Sequence, residues 1–297
     1  MHQTHILTLI ASPRSTLNLD YLAGALTSSG LHFKQVNWLH PKTVCDLTLE
    51  TPPAPQAYAE TLARCAQAKV DIVLQPLAGR EKKLLISDMD STMIAQECID
   101  ELADKVGLKA HVAAITERAM KGELDFKEAL RARVLLLKDL PETTLQQVFD
   151  QHITLMPGAK TLVATMKARG ATTHLVSGGF TFFTARVAQA LGFDTDEANI
   201  LELADGKLTG TVREPILDKD SKRASLERHA AQHQVPLSAC LAVGDGANDL
   251  PMLLAAGLGV AYHAKPVVEA QAKASIRFND LSALLYLQGI PTHAWVG

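Results

Sequence analysis

The sequence lacks the features that mark several large classes of protein. It holds four cysteines, Cys45, Cys65, Cys98 and Cys240, and no Cys-x-x-Cys pair. That excludes a cysteine zinc site and a disulfide framework, and it suits the reduced thiols of a cytoplasmic chain. Aromatic residues make up 5% of the chain and the net charge is -3, so there is neither a stacking platform nor a basic face for nucleic acid. No apolar run reaches the roughly 20 residues of a membrane span. The apolar stretch 6–11 has no basic leader before it, so no signal peptide and no membrane partner are expected. What is present is 297 residues, enough for one large domain or two modest ones.

The chain is organised around Leu84-Leu85-Ile86-Ser87-Asp88-Met89-Asp90-Ser91-Thr92. Its apolar half predicts a short buried strand. Two aspartates follow where that strand should end, which is where open α/β sheets place their chemistry. Two carboxylates one residue apart in such a place need a cation or a shared proton. With no Cys or His in the stretch, hard oxygen ligands favour Mg2+ over zinc, and magnesium usually shares its shell with a substrate phosphate. The competing reading is a plain turn and helix cap, which Asp, Ser and Thr also favour.

Before this stretch, strands over 6–11, 31–39, 44–49 and 70–75 and helices over 19–28 and 55–68 give the order βαββαβ. Its natural packing is a four-stranded antiparallel, ferredoxin-like sheet with both helices on one face, a domain over 1–79. Gly79-Arg80-Glu81-Lys82-Lys83 reads as a charged linker at the boundary. Residues 83–297 alternate strands and helices as a Rossmann-like parallel sheet does, with strands at 171–176, 239–243, 258–262 and 275–278. Asp205-Gly206 predicts a hairpin turn between 200–203 and 207–212. Residues 97–150 interrupt the alternation after the first strand with a charged, helical insertion, the pattern of a cap that excludes water and reads the substrate.

Three further features carry chemistry. Ser177-Gly178-Gly179 lies at a predicted strand end, where glycines let backbone N–H groups approach an anion and the serine adds a hydroxyl; a bare turn is the alternative. Gly244-Asp245-Gly246-Ala247-Asn248-Asp249 puts a second acidic cluster after a second strand, and one helix cap needs only one acceptor. His229 and His233 are spaced i, i+4 as zinc-binding histidines often are, but Ala230 stands where a metalloprotease helix has glutamate, so they are expected on an exposed helix face.

Asp88-Met89-Asp90-Ser91-Thr92, Ser177-Gly178-Gly179, Lys222 and Gly244-Asp245-Gly246-Ala247-Asn248-Asp249, in that order, resemble the haloacid dehalogenase superfamily, in particular its phosphoserine phosphatase branch. The resemblance covers residues 83–297. It implies Mg2+-dependent hydrolysis of O-phospho-L-serine through an aspartyl-phosphate, the last step of L-serine biosynthesis. Asp88 is then the nucleophile and Asp90 the general acid and base. The metal ligands are Asp88, Asp90 through its carbonyl, and Asp245, with Asp249 behind them. Ser177, Gly178, Lys222 and Asn248 line the phosphate site, and Glu97, Phe126 and Arg133 of the cap read and cover the amino acid. The first domain resembles ACT-type regulatory domains in topology, which implies L-serine as an effector or a homodimer contact. A phosphoacceptor switch and an amino-acid sensor with an inactive phosphatase domain are the readings of other classes. Asp90 beside Asp88 and a filled catalytic set argue against both.

Overall fold

The computed structural model describes residues 4–18, 24, 26–27, 30–49, 51–120 and 123–297. The helix expected over 19–28 falls mostly outside the described residues. Strands β1 (His5–Ala11), β2 (Phe33–His40), β3 (Val44–Leu49) and β4 (Val70–Pro76) form an antiparallel sheet in the order β2-β3-β1-β4. Helix α1 (Pro55–Gln67) starts on a proline, whose missing N–H costs nothing in a first turn. Leu7, Leu9, Cys45, Leu47 and Ile72 form a core with Cys65 of α1. The alternate residues Ile10, Val44 and Val73 belong to the core of the following domain. Side chains alternate faces along a strand, so both faces of this small sheet are covered.

The charged linker takes part in that second interface. Arg80 and Lys82 are buried. Arg80 pairs with Asp46 at 2.6 Å, and donates to Thr8 and to the Tyr286 and Leu287 carbonyls. Asp71 of β4 accepts from the Arg277 and Phe278 N–H groups and from Asn279. Thr8, Asp46 and Asp71 occupy alternate strand positions on this face: Thr8 and Asp46 meet Arg80 of the linker, and Asp71 meets Arg277, Phe278 and Asn279.

The second domain is a six-stranded sheet, all parallel, in the order β12-β11-β10-β5-β6-β7. Its strands are β5 (Leu84–Ser87), β6 (Thr172–Phe180), β7 (Thr195–Asn199), β10 (Cys240–Gly244), β11 (Leu258–Tyr262) and β12 (Ala274–Ile276). Leu84 and Ile86 pack with α8 (Lys219–Gln232) and α9 (Leu250–Ala255), while Leu85 shares the core of α6 (Ala159–Ala168) and α7 (Thr181–Leu191). Short helices α10 (Pro266–Glu269) and α11 (Ala283–Leu287) complete the layers. Two elements differ from expectation. β6 runs on through Ser177-Gly178-Gly179 to Phe180 instead of turning at Ser177. β7 reads Thr-Asp-Glu-Ala-Asn and has no apolar run to announce it, because it is the edge strand.

Between β5 and α6 the chain forms the cap: α2 (Cys98–Lys105), α3 (Lys109–Met120), α4 (Phe126–Leu135) and α5 (Glu142–His152). The hairpin β8 (Leu201–Ala204) and β9 (Lys207–Val212) turns through Asp205 and Gly206, both at positive φ as a tight hairpin turn requires. It braces the cap: the Asp139 N–H donates to the Leu208 carbonyl and the Glu142 N–H to that of Gly206.

Candidate active site

β5 leads the sheet at its centre, with β10 on one side and β6 on the other. Ser87 pairs with Val243 and with Leu175, so Asp88, Val176 and Gly244 come next, abreast, at the carboxyl ends of three adjacent strands. This is the topological switch point of an open parallel sheet. The Asp88 N–H continues the ladder to the Val243 carbonyl at 3.0 Å. The chain then turns sharply, with Thr92, Met93 and Ile94 donating to the Met89 carbonyl and Ser91 in the left-handed region at φ 53°. The turn aims Asp90 back at the strand ends: Oδ1 accepts from the Cys98 N–H (3.1 Å) and Oδ2 faces the Ser177 hydroxyl (3.4 Å).

Ser177 is buried and its oxygen accepts from the Gly179 N–H at 2.8 Å. A Cβ on Gly179 would stand 2.7 Å from Asp90 Oδ2 and 3.1 Å from Ser177 Oγ, so any side chain there would displace the acid. Asn199, at the end of β7, donates to the Gly178 carbonyl (2.9 Å) and accepts from the Leu217 N–H (2.7 Å). Asn199 fixes the strand that carries Ser177, and sequence reasoning missed it. An asparagine in a polar stretch reads as loop, and only its burial identifies it.

From the β10 side come Asp245 and Asp249, and from the first turns of α8 comes Lys222. Lys222 is 1% exposed and donates at 2.7 Å to both Asp88 Oδ2 and Asp249 Oδ1. Burial works against its charge, but Asp249 and Asp88 outweigh burial and raise its pKa. The other oxygen of Asp249 accepts from the Gly246 N–H at 3.0 Å, so both of its oxygens are engaged. Asp245 accepts from Thr92 Oγ1 at 3.2 Å.

The carboxyl oxygens of Asp88, Asp245 and Asp249 lie within 4.8 Å of one another. Burial, then Asp249 and Asp245, push Asp88 well above the usual carboxylate range, against the pull of Lys222. Asp245 is pushed up to about 6 by burial, Asp249 and Glu97. One lysine does not balance this much negative charge, and hard oxygen donors suit a hard divalent cation. The residues present therefore fit a metal, with the clustered carboxylates of Asp88, Asp245 and Asp249 as the available oxygens. Asp90 itself is pushed up to about 7, by burial and then by Glu97.

Residues 85–254 match the model of the haloacid dehalogenase-like hydrolases. A phosphoserine phosphatase of Streptomyces coelicolor is 40% identical over 290 residues, which is 96% of this chain and 70% of the relative. The chain belongs to the haloacid dehalogenase-like hydrolases. It is an enzyme, a phosphatase of that family. Among solved structures, a haloacid dehalogenase family hydrolase of Salmonella enterica serovar Typhi superposes with a TM-score of 0.86 at 33% identity, over 96% of this chain and 98% of that one. A phosphoserine phosphatase solved as a phospho-aspartyl intermediate analogue gives 0.65 at 40% identity, over 69% of this chain and 98% of the other.

The hydrolase holds its cap against this site. Asp125 and Glu128 form a reciprocal capping box that fixes the start of α4. Phe126, the next residue, lies against Gly178, where an added Cβ would meet its ring at 3.2 Å. Glu97 accepts from the Ser91 hydroxyl at 2.6 Å and its charge reaches Asp90 and Asp245. Burial lowers the Arg133 pKa while Asp100, Glu97 and Asp90 support its charge. Phe126 thus meets Gly178 and the charge of Glu97 reaches Asp90, while Arg133 donates to the Ala129 carbonyl of its own helix. Asn248 is half-buried beside Gly246, where its side chain leaves no room for a Cβ. The histidines contradict expectation: His229 is buried against His174 of β6, and only His233 is exposed. Burial follows from α8 keeping His229 and Ala230 of its last turn against the sheet. All four cysteines are free and buried, and among the described residues no helix is long and apolar enough to cross a membrane.

Proposed function

We propose that the enzyme hydrolyses O-phospho-L-serine to L-serine and phosphate, with Mg2+ as cofactor and Asp88 as the residue transiently phosphorylated. This reaction is the last step of L-serine biosynthesis. The observation that carries the reading is the placement of two aspartates: Asp88 pairs with Lys222 within the carboxylate cluster that suits a cation, whereas Asp90 turns to the Ser177 hydroxyl and the Cys98 N–H with its pKa raised to about 7 by burial and Glu97. Bound magnesium supplies the positive charge that keeps Asp88 ionised and offsets the phosphate.

Asp88 attacks phosphorus while Asp90 gives its proton to the departing serine oxygen. Asp90, now a carboxylate, takes a proton from water, and the hydroxide oxygen displaces Asp88 from phosphorus. Phosphate leaves, and Asp88 and the Asp90 proton are restored. The Ser177 hydroxyl and the Gly178 N–H serve the phosphoryl oxygens, with Asn248 completing the polar lining. An ammonium has three protons, and Asp88 and Asp249 take two of those on Lys222, which leaves one for the phosphate. In the cap, Glu97 receives the substrate ammonium, Arg133 its carboxylate, and Phe126 closes over them. The N-terminal domain is read as an ACT-like regulatory unit, with L-serine as effector or a homodimer as product. Its polar docking through Asp71 and Arg80 supports a mechanical connection to the catalytic sheet.

Phosphate release from O-phospho-L-serine and from esters without the amino-acid head, each with magnesium and with chelator, tests the reading. Magnesium-dependent preference for phosphoserine is expected. Arg133→Ala should raise KM for phosphoserine about 10- to 100-fold, as loss of a charged hydrogen bond does, and leave the headless esters unchanged. Equal losses on both kinds of ester would remove the cap from substrate recognition.

A further inference from the structure

Three imidazoles meet away from the carboxylates. His174 stands on β6 three residues before Ser177, and His229 and His233 lie one turn apart at the far end of the helix that begins near Lys222. Their candidate ligand atoms all lie within 4.8 Å of one another. In this group His174 Nε2 and His229 Nδ1 are buried and have no hydrogen-bond partner. Buried polar atoms are seldom left so, and each such case asks for an explanation.

The opposite edges of the two buried rings are anchored. His229 Nε2 lies 2.7 Å from Glu197 Oε1. Glu197 also receives Ser225 and Arg228, and these partners, with His229, hold its pKa down against burial. An ionised carboxylate only accepts, so His229 Nε2 donates to Glu197, and in the neutral ring Nδ1 presents a lone pair. His174 Nδ1 lies 2.7 Å from Thr195 Oγ1, which leaves its Nε2 as the second lone pair when the ring donates to that hydroxyl. An outer N–H held by an oxygen, with the inner nitrogen free, is the usual support of a metal-ligating histidine. Burial, with His229 and His233 beside it, also keeps His174 in its neutral, ligand-competent form, its pKa lowered to about 4.

We infer that His174, His229 and His233 form a site for one borderline divalent transition-metal ion of the zinc class, which ties α8 to β6. Three imidazoles without a hard oxygen favour such an ion over magnesium, so the chain would carry two metal sites of opposite taste. The rings of His174 and His229 stack at 3.7 Å with 21° between their planes. Nitrogens on a tetrahedral zinc stand about 3.3 Å apart for bonds near 2.05 Å. Binding therefore tilts the stacked pair and brings in His233 from the exposed end of the helix, with water in the open fourth position. The tie would join the strand that bears Ser177 to the helix that bears Lys222.

The test is calorimetric titration of the full chain with zinc chloride in saturating magnesium, beside His233→Ala, with cobalt(II) absorption as a second readout. His233 is exposed and outside the catalytic set, so the variant should fold and keep its basal phosphatase activity. Wild type should take up one equivalent that the variant binds about 100-fold more weakly or not at all. Its cobalt spectrum should show a strong four-coordinate band that the variant lacks, and zinc should raise the melting temperature of wild type alone. The carboxylate cluster is the same in both proteins, so equal uptake and equal cobalt spectra would overturn the site.

Discussion

Asp88, Asp90, Ser177 and Asp245 were legible in the sequence because motifs that each read alone as a turn or cap occur together, in order, after apolar runs. The residues that position them were not legible. Gly179 looks like any turn glycine until its neighbours are known, and Asn199 looks like loop. Gly179→Ala would push a methyl group into Asp90 Oδ2 and the Ser177 hydroxyl. We expect kcat to fall about 100-fold, the scale of a 1 Å misplacement, with little change in the melting curve. Asn199→Ala frees the Gly178 carbonyl and the Leu217 N–H in a buried place. It should cost about 1–3 kcal/mol of stability by chemical denaturation and lower kcat more than it raises KM. A variant with normal kcat would reduce Asn199 to a packing residue.

At the scale of elements, the expected cap, hairpin and parallel sheet are all present, since helical periodicity, Asp-Gly at a turn and buried apolar strands are local signals. β7 was invisible because an edge strand with half-exposed residues shows no apolar pattern. The role of the hairpin was invisible too, being a contact between segments some 70 residues apart in the chain. Gly210 of β9 sits at φ 82°, and a Cβ there would meet Lys138 Cβ at 2.9 Å. Gly210→Ala should therefore destabilise the protein by more than about 1 kcal/mol, measured by denaturant unfolding, and loosen the cap, seen as faster amide exchange in α4. Unchanged exchange in α4 would show that the hairpin does not brace the cap.

Across the whole molecule, the two sheets were readable but their union was not, because Arg80 and Lys82 in a charged run look solvated. Their burial rests on partners more than 30 residues away: Asp46 for Arg80, and the Ser238 carbonyl for Lys82. Arg80→Ala leaves Asp46 buried without its cation and should cost about 3–5 kcal/mol in unfolding experiments. Asp71 gives the docking a pH dependence. Burial raises its pKa, against the donors from Asn279, Arg277 and Phe278. Between the ordinary carboxylate value and the raised one, the folded state holds more protons than the unfolded state, so this contribution falls as pH rises through that window. Other raised carboxyls act in the same direction, so the wild-type minus Asp71→Asn difference in melting temperature against pH isolates it; a flat difference would remove Asp71 from the account. The central claim is that phosphate passes through Asp88 and leaves with help from Asp90. Acid quenching of the full chain during turnover of O-phospho-L-serine carrying labelled phosphate, in magnesium, tests it most directly. The account predicts hydroxylamine-labile label on wild type, none on Asp88→Asn with turnover down about 10⁴-fold or more, and longer-lived label on Asp90→Asn. Label on Asp88→Asn, or none on wild type while free phosphate accumulates, would contradict it.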